Sequence, residues 1–389
     1  MKYIYIVYKE ENLSVFESQV LKFLRILKND FGRDILLIVV KNKKTKENEL
    51  KSKIEKYIKS SYMVIEESSP LLYSKWRKTI FRYFEHSDWE NEKIVVHARS
   101  SKATVLGYEL KRVFKNCVLI FDNRGIPLEE IDLMIKDSKK IKEKIKLQVS
   151  KVFFAICQKV AAKNSDCYIF VTNNLRKYMI QKHGYSESKD YLIIPTSIDL
   201  KEVSENINSV KDLNSYIYIG SNDCWQNGEL IFKLFKEIEK RNSESKFIIL
   251  SKDYNEFSKL NSTYKLKNIT FNSATHKETL EILSRCGYGV IIRDDSVVNK
   301  VSSPTKLIEY LSVGLNVIYS GKIGIVEDLV NEYGKIVSNR LINLDINNME
   351  SVLVGKLENE SSSIKDEKFI DYFSWDENVK KIIDKINDM

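Results

Sequence analysis

Thirteen short apolar runs, separated by helical patterns and interrupted once by a long polar interval, constrain this chain more than any other feature. The first seven are YIYIVY (3 to 8), DILLIVV (34 to 40), SYMVIE (61 to 66), KIVVH (93 to 97), CVLIF (117 to 121), CYIFV (167 to 171) and YLIIP (191 to 195). The rhythm restarts with SYIYIG (215 to 220), KFIIL (246 to 250), NITF (268 to 271), YGVII (288 to 292), NVIY (316 to 319) and GKIV (334 to 337). Runs of four to seven apolar residues rich in Val and Ile, without polar alternation, read as strands buried on both faces. Such strands need helical crossovers, so each half reads as a doubly wound α/β domain. The expected fold class is therefore two Rossmann-like domains facing across a cleft at the carboxyl ends of their strands. The polar interval TSIDLKEVSENINSVKDLN marks the boundary, within 197 to 214. This gives an N-terminal domain over 1–200, a second over 201–372, and a terminal helix over 373–389. That helix opens with a capping box at Ser374 and Glu377 and is expected to pack back toward the first domain.

Composition narrows the function. With 389 residues, the chain is too long for one typical core and suits two domains. No apolar stretch approaches the roughly 18 residues of a membrane span, and MKYIYIVYKEEN turns acidic too soon for a leader, so a cytoplasmic protein is expected. The five cysteines (117, 157, 167, 224 and 286) have no C-x-x-C spacing and the four histidines are dispersed, which argues against disulfides and a metal site. The first βα turn, VYKEENLSVFESQ, lacks glycine, which removes the dinucleotide fingerprint. Neither a P-loop nor a D-x-D occurs, so no metal or resident cofactor is expected.

The segment SSPTKLIEYLSVGLNVI (302 to 318) carries the most chemistry. Ser303 suits an N-cap, Pro304 the first helical position and Gly314 a left-handed closing residue, so strand, loop, helix and strand follow in order. Leu307, Ile308 and Leu311 share a face for burial, while Ser302, Lys306 and Glu309 recur on another. A helix N-terminus at the end of a parallel strand attracts anions, Lys306 adds charge, and a carboxylate deeper in accepts hydrogen bonds from a vicinal diol. Diphosphate plus ribose fits that arrangement; an exposed Lys306–Glu309 ion pair is the plainer alternative.

The net charge of +9 is uneven. Between Lys136 and Lys163, nine lysines face only Asp137 and Glu143. Within this segment Ile141, Ile145, Val149, Val152, Ile156 and Val160 form the stripe of an amphipathic helix. KWRKTIFRYF (75 to 84) is a second basic, aromatic stretch. Both suit an anionic membrane surface, or bury their stripes in the core as ordinary surface helices do. No recognition module accompanies the charge, so nucleic acid is not expected as a partner.

The central segment resembles the group 1 (family 4) retaining glycosyltransferases of the GT-B fold, whose pattern runs P-x-K, E-Y-L-A, G-x-P-V-I. Supporting segments follow in order: HARS at His97, IFDNRGIPLEE at Ile120, IFVTNNLRKYMIQKHG at Ile169, IIPTSIDL at Ile193, YIGSNDCWQNGE at Tyr218 and FSWDENV at Phe373. The resemblance implies sugar transfer from a nucleotide diphosphate donor on the second domain to a glycan or lipid-linked acceptor on the first, as in surface polysaccharide or glycolipid assembly. It matches Glu309 to the glutamate holding the ribose hydroxyls. The first glutamate of the E-x7-E motif falls at Val301, a departure at the donor-sugar contact. The family's early basic pair is also missing, and Gly220, Ser221, Asn222 and Gln226 stand in its neighbourhood.

Arg293 and Lys306 are the substitutes expected to grip the diphosphate, joined by Gly220, Ser221, Ser302 and Ser303. A loop pairing of Arg293 with Asp294 or Asp295 is the alternative. On the first domain, His97, Arg99, Asp122 and Arg124 follow strand ends and are expected at the acceptor, with Arg124 where related enzymes often place a histidine. An Asp122–Arg124 turn that only holds its loop is the plainer reading, as is a structural role for His97. Trp225 suits stacking on a sugar or plain packing, and His276 carries less. The expected catalytic set is Arg124, Arg293, Lys306 and Glu309, with front-side attack implied by the resemblance. A nucleotide-sugar epimerase and a non-catalytic binding subunit of the same fold are the rival readings.

Overall fold

The computed structural model describes residues 1–10, 13–43, 45–59, 61–66, 73–84, 89, 92–204, 210–222, 226–345, 349 and 370–389, with backbone alone at 73–77. The chain divides into two compact units, Met1–Ser197 with Trp375–Met389, and Ile198–Ser374.

The first unit holds a seven-stranded sheet: β1 (Lys2–Tyr8), β2 (Asp34–Lys41), β3 (Ser61–Glu66), β4 (Ile94–Arg99), β5 (Cys117–Asn123), β6 (Cys167–Phe170) and β7 (Asp190–Ile193). Its order is β3-β2-β1-β4-β5-β6-β7, and every pairing is parallel. Alternate residues of β1 and β2 feed two cores: Tyr3, Tyr5, Leu37 and Val39 on one face, Ile4, Ile6, Leu36 and Ile38 on the other. Burial on both faces explains why these strands read as unbroken apolar runs. The order reverses between β1 and β4, where the crossovers diverge and leave a crevice at the strands' carboxyl ends.

The second unit repeats the plan with β8 (Asp212–Ile219), β9 (Lys246–Leu250), β10 (Ile269–Asn272), β11 (Cys286–Ile291), β12 (Asn316–Ser320) and β13 (Leu341–Leu344). Its order is β10-β9-β8-β11-β12-β13, again all parallel. One expected strand is corrected: GKIV forms a short helix, Lys335–Ser338, and the last strand lies a few residues on. Lys335 and Ile336 are exposed, so the run lacks the two-sided burial that a strand of this sheet needs.

The motif helix runs Thr305–Ser312. Here too the expected ends shift: Pro304, in extended backbone (φ −70°, ψ 129°), caps the helix without a side-chain bond, instead of Ser303. Gly314 closes it at φ +81°. On β11, Gly289 lets the Tyr310 ring lie against the strand; a Cβ there would sit 2.3 Å from the ring. Tyr310 Oη then accepts from the Ile219 amide at 3.0 Å, which ties the motif helix to the end of β8.

The final helix, Trp375–Asn387, belongs to the first unit. Trp375, Val379, Ile382, Ile383 and Ile386 enter the core formed by Tyr3 and Phe23. Trp375 Nε1 donates to the Ser18 carbonyl at 2.8 Å, and Asn378 Nδ2 donates to Ser197 Oγ at 2.9 Å.

Candidate functional site

In the second unit, the expected donor residues gather at the carboxyl ends of β8 and β11. Lys306 is buried, its ammonium 2.8 Å from Gln226 Oε1 and 4.2 Å from the centre of the Tyr218 ring. Tyr218 Oη donates to the Ser221 carbonyl at 2.7 Å. Gly220, at φ +139°, passes so close to Lys306 that a Cβ would stand 2.9 Å from the ammonium. The positive φ is what favours glycine there. Glu309 is 8 % exposed and Lys306 7 %, which rules out an exposed ion pair. His276 Nδ1 lies 3.7 Å from Glu309 Oε1, and its Nε2 lies 3.8 Å from Glu202 Oε2. Trp225 falls outside the described residues.

Arg293 follows the end of β11, with its backbone N–H donating to Ser320 Oγ at 2.8 Å. Its guanidinium does not pair with Asp294 or Asp295. Nη1 instead donates to Asn299 Oδ1 (2.9 Å) and Ser302 Oγ (3.1 Å), and Nε has no partner among the described residues. Asn299 takes Asp294 for itself at 2.7 Å, and Asp295 pairs with Lys300 at 3.0 Å. Burial pushes the Arg293 guanidinium down to about 10, so it stays charged at neutral pH. A buried cation held by neutral oxygens is unfavourable unless an anion joins it. Val301, at the missing first glutamate, is buried, and the Gly324 Cα region packs on its backbone. Ser303 is half-buried, one residue before the capping proline.

In the first unit, His97, Arg99, Asp122 and Arg124 come together where β4 and β5 end. Asp122 is fully buried, with Arg124 Nε at 2.6 Å, His97 Nε2 at 3.3 Å and Arg99 Nη1 at 3.6 Å. These are close charge contacts rather than aligned hydrogen bonds. Burial opposes ionisation of Asp122, but Arg124 and then His97 overcome it and hold the carboxyl well below its ordinary range. Burial lowers His97, and the nearby Asp122 carboxylate only partly offsets this. His97 Nδ1 meets Tyr3 Oη at 2.7 Å. The histidine thus supports Asp122 from inside the sheet. Arg124 Nη1 also donates to the Ile194 carbonyl at 3.2 Å.

Beside this cluster lies a pocket of about 220 Å³. Arg99, Ser101, Asn123, Glu130, Phe154 and Gln158 are among its walls. Ser101 Oγ and Asn123 Nδ2 are buried without partners among the described residues, and burial raises the Glu130 carboxyl. Ser100 holds φ +94°, rare for a residue with a side chain, while its Oγ accepts from the Ala103 amide as an N-cap. Donors, acceptors and the Phe121 and Phe154 rings around one small space suit a polyol. Sequence reading missed Ser101, Asn123, Glu130 and Gln158. Asn123 was within reach of it, because it ends a strand next to Asp122. Among the described residues, no group of three His, Cys, Asp or Glu side chains is placed to hold a metal ion.

No protein-family model matches the chain, and no curated protein matches it in sequence. Solved structures do match in shape. A sucrose-phosphate synthase from Thermosynechococcus elongatus superposes with a TM-score of 0.66 at 13 % identity, covering 100 % of this chain and 99 % of that one. WaaG, a glycosyltransferase involved in lipopolysaccharide biosynthesis, gives 0.59 at 12 %, covering 98 % and 95 %. The pneumococcal O-GlcNAc transferase GtfA, in complex with UDP and GlcNAc, gives 0.54 at 13 %, covering 81 % and 59 %. At such identities the likeness defines a class of fold: paired Rossmann-like units of the GT-B kind.

Proposed function

We propose that this protein is a retaining glycosyltransferase. It moves a sugar from a nucleoside diphosphate on its second unit to a glycan or lipid-linked acceptor on its first, in surface polysaccharide or glycolipid synthesis at the inner face of a membrane. The observation that carries the reading is Arg293, a buried guanidinium whose hydrogen bonds among the described residues go to neutral oxygens, beside the N-terminus of the motif helix. The fold shared with named glycosyltransferases, one of them solved with UDP, supports the same reading.

Breaking the bond between the anomeric carbon and the diphosphate oxygen leaves negative charge on the leaving phosphate. Fixed cations and N–H groups aimed at that charge stabilise the transition state by several kcal/mol. Arg293 and Lys306 supply the cations, with Gly220, Ser221, Ser302 and Ser303 lining the phosphates, and no resident cofactor is invoked. Glu309 accepts hydrogen bonds from the ribose hydroxyls. The acceptor oxygen attacks from the face the phosphate leaves, and its proton passes to the departing phosphate oxygen. On the acceptor side, Arg99, Asp122 and Arg124 orient the incoming sugar, with His97 positioning Asp122.

Thermal unfolding against UDP, GDP, ADP and TDP tests the donor site. At 100 times Kd one of them should add about 2.7 kcal/mol, a shift of several degrees. Arg293→Met should abolish the shift and Glu309→Ala should reduce it. Indifference to all four nucleotides would remove the donor site and the function with it.

A further inference from the structure

The helix Ile141–Asn164 has two unlike flanks. One packs on the helices Ser101–Lys111 and Pro127–Asp137, burying Cys157, Gln158 and Ala161. The same flank supplies Phe154 and Gln158 to the pocket. The other flank carries Ile141, Ile145, Val149, Val152 and Ile156, which are 76, 60, 66, 62 and 57 % exposed. The stripe found in the sequence therefore faces outward as far as Ile156, while Val160 at its end is half-buried. Single exposed aliphatic residues are ordinary, but five in one ridge about 22 Å long are not.

Lysines flank that ridge. At 100° per residue, Lys142, Lys146, Lys159 and Lys163 fall beside the ridge or at its end. None of the four has a carboxylate partner among the described residues. The helix Tyr73–Phe84 differs, because it buries Ile80 and Phe84 in the core. We propose that the ridge Ile141–Ile156 is a docking surface for an anionic lipid bilayer. Its apolar side chains sink to the boundary between headgroups and acyl chains, while the lysines reach out to lipid phosphates. Charge decides against a second copy of this chain as occupant, since two such ridges would bring two sets of unpaired lysines together. Because the other flank of the same helix walls the pocket, docking sets that pocket within a helix diameter of the lipid surface. The acceptor is then one carried on a lipid, a consequence that rests on the glycosyl-transfer reading.

Co-sedimentation of the full chain with vesicles of phosphatidylglycerol and phosphatidylcholine in equal parts, and with phosphatidylcholine alone, tests the proposal. Binding is expected to the anionic vesicles, weaker binding to the neutral ones, and a loss at high salt. The double variant Val149→Asp/Val152→Asp should bind anionic vesicles roughly tenfold or more weakly, with an unchanged melting temperature. Equal binding by parent and variant, or no binding, overturns the proposal. So does a dimer in sedimentation velocity that the double variant abolishes. Vesicle binding without nucleotide stabilisation would sink the glycosyl-transfer reading alone, and nucleotide stabilisation without vesicle binding would sink the docking surface alone.

Discussion

Asp122 shows how much one residue can hold. Three cationic or protonatable groups approach its carboxylate, and all are strand-end side chains that the parallel sheet brings to one edge. Removing the charge leaves the half-buried Arg124 without its carboxylate and the buried Arg99 with Glu10 alone, so Asp122→Asn should cost about 3–5 kcal/mol in urea unfolding. His97 adds a pH dependence whose sign follows from its lowered value. The unfolded chain takes up the proton more readily, near pH 6.5, so the stability from neutral His97 is complete above that pH and is lost as pH falls below it. Between pH 7 and 5 the parent should lose stability at up to about 1.4 kcal/mol per pH unit, and His97→Asn should lose this slope. An equal slope in both would assign the titration to other groups. The cluster was legible in the sequence because parallel strands end side by side, so residues just past each apolar run must converge. Phe154 and Gln158 were not. A helical pattern says which residues share a flank, but not which flank meets which neighbour.

At the scale of the element, the motif helix depends on a single glycine. Gly289 leaves room for the Tyr310 ring, whose hydroxyl fixes the helix to β8 and so places Lys306 under Gly220. Gly289→Ala should cost about 1–3 kcal/mol through overpacking and weaken the nucleotide-dependent thermal shift. A variant of full stability and unchanged shift would show that the helix has another anchor. The strands were the most legible elements, because two-sided burial leaves an unmistakable apolar run. GKIV misled for the opposite reason: four residues of suitable type carry no record of burial, and the end of the sheet was already filled by Leu341–Leu344. The lysine-rich helix was ambiguous in sequence, since an apolar stripe is the same string whether it meets a core or a lipid.

At the scale of the molecule, the two doubly wound units follow from the repeated rhythm, and no helix among the described residues is long and apolar enough to cross a membrane. The first unit is closed by the last helix, which contributes five large apolar side chains to its core. A chain ending at residue 374 should therefore lose several kcal/mol of stability in its first unit, at the usual cost of a large buried side chain removed. The second unit should keep its own transition in calorimetry. An unchanged transition of the first unit would show that the helix is dispensable.

That discontinuity also has a consequence in time. A ribosome delivers β1 to β7 first, then the whole second unit, and only after it the residues that complete the first core. The opening half of this protein must wait, incomplete and with the Phe23 side of its core uncovered, until the helix Trp375–Asn387 has been made.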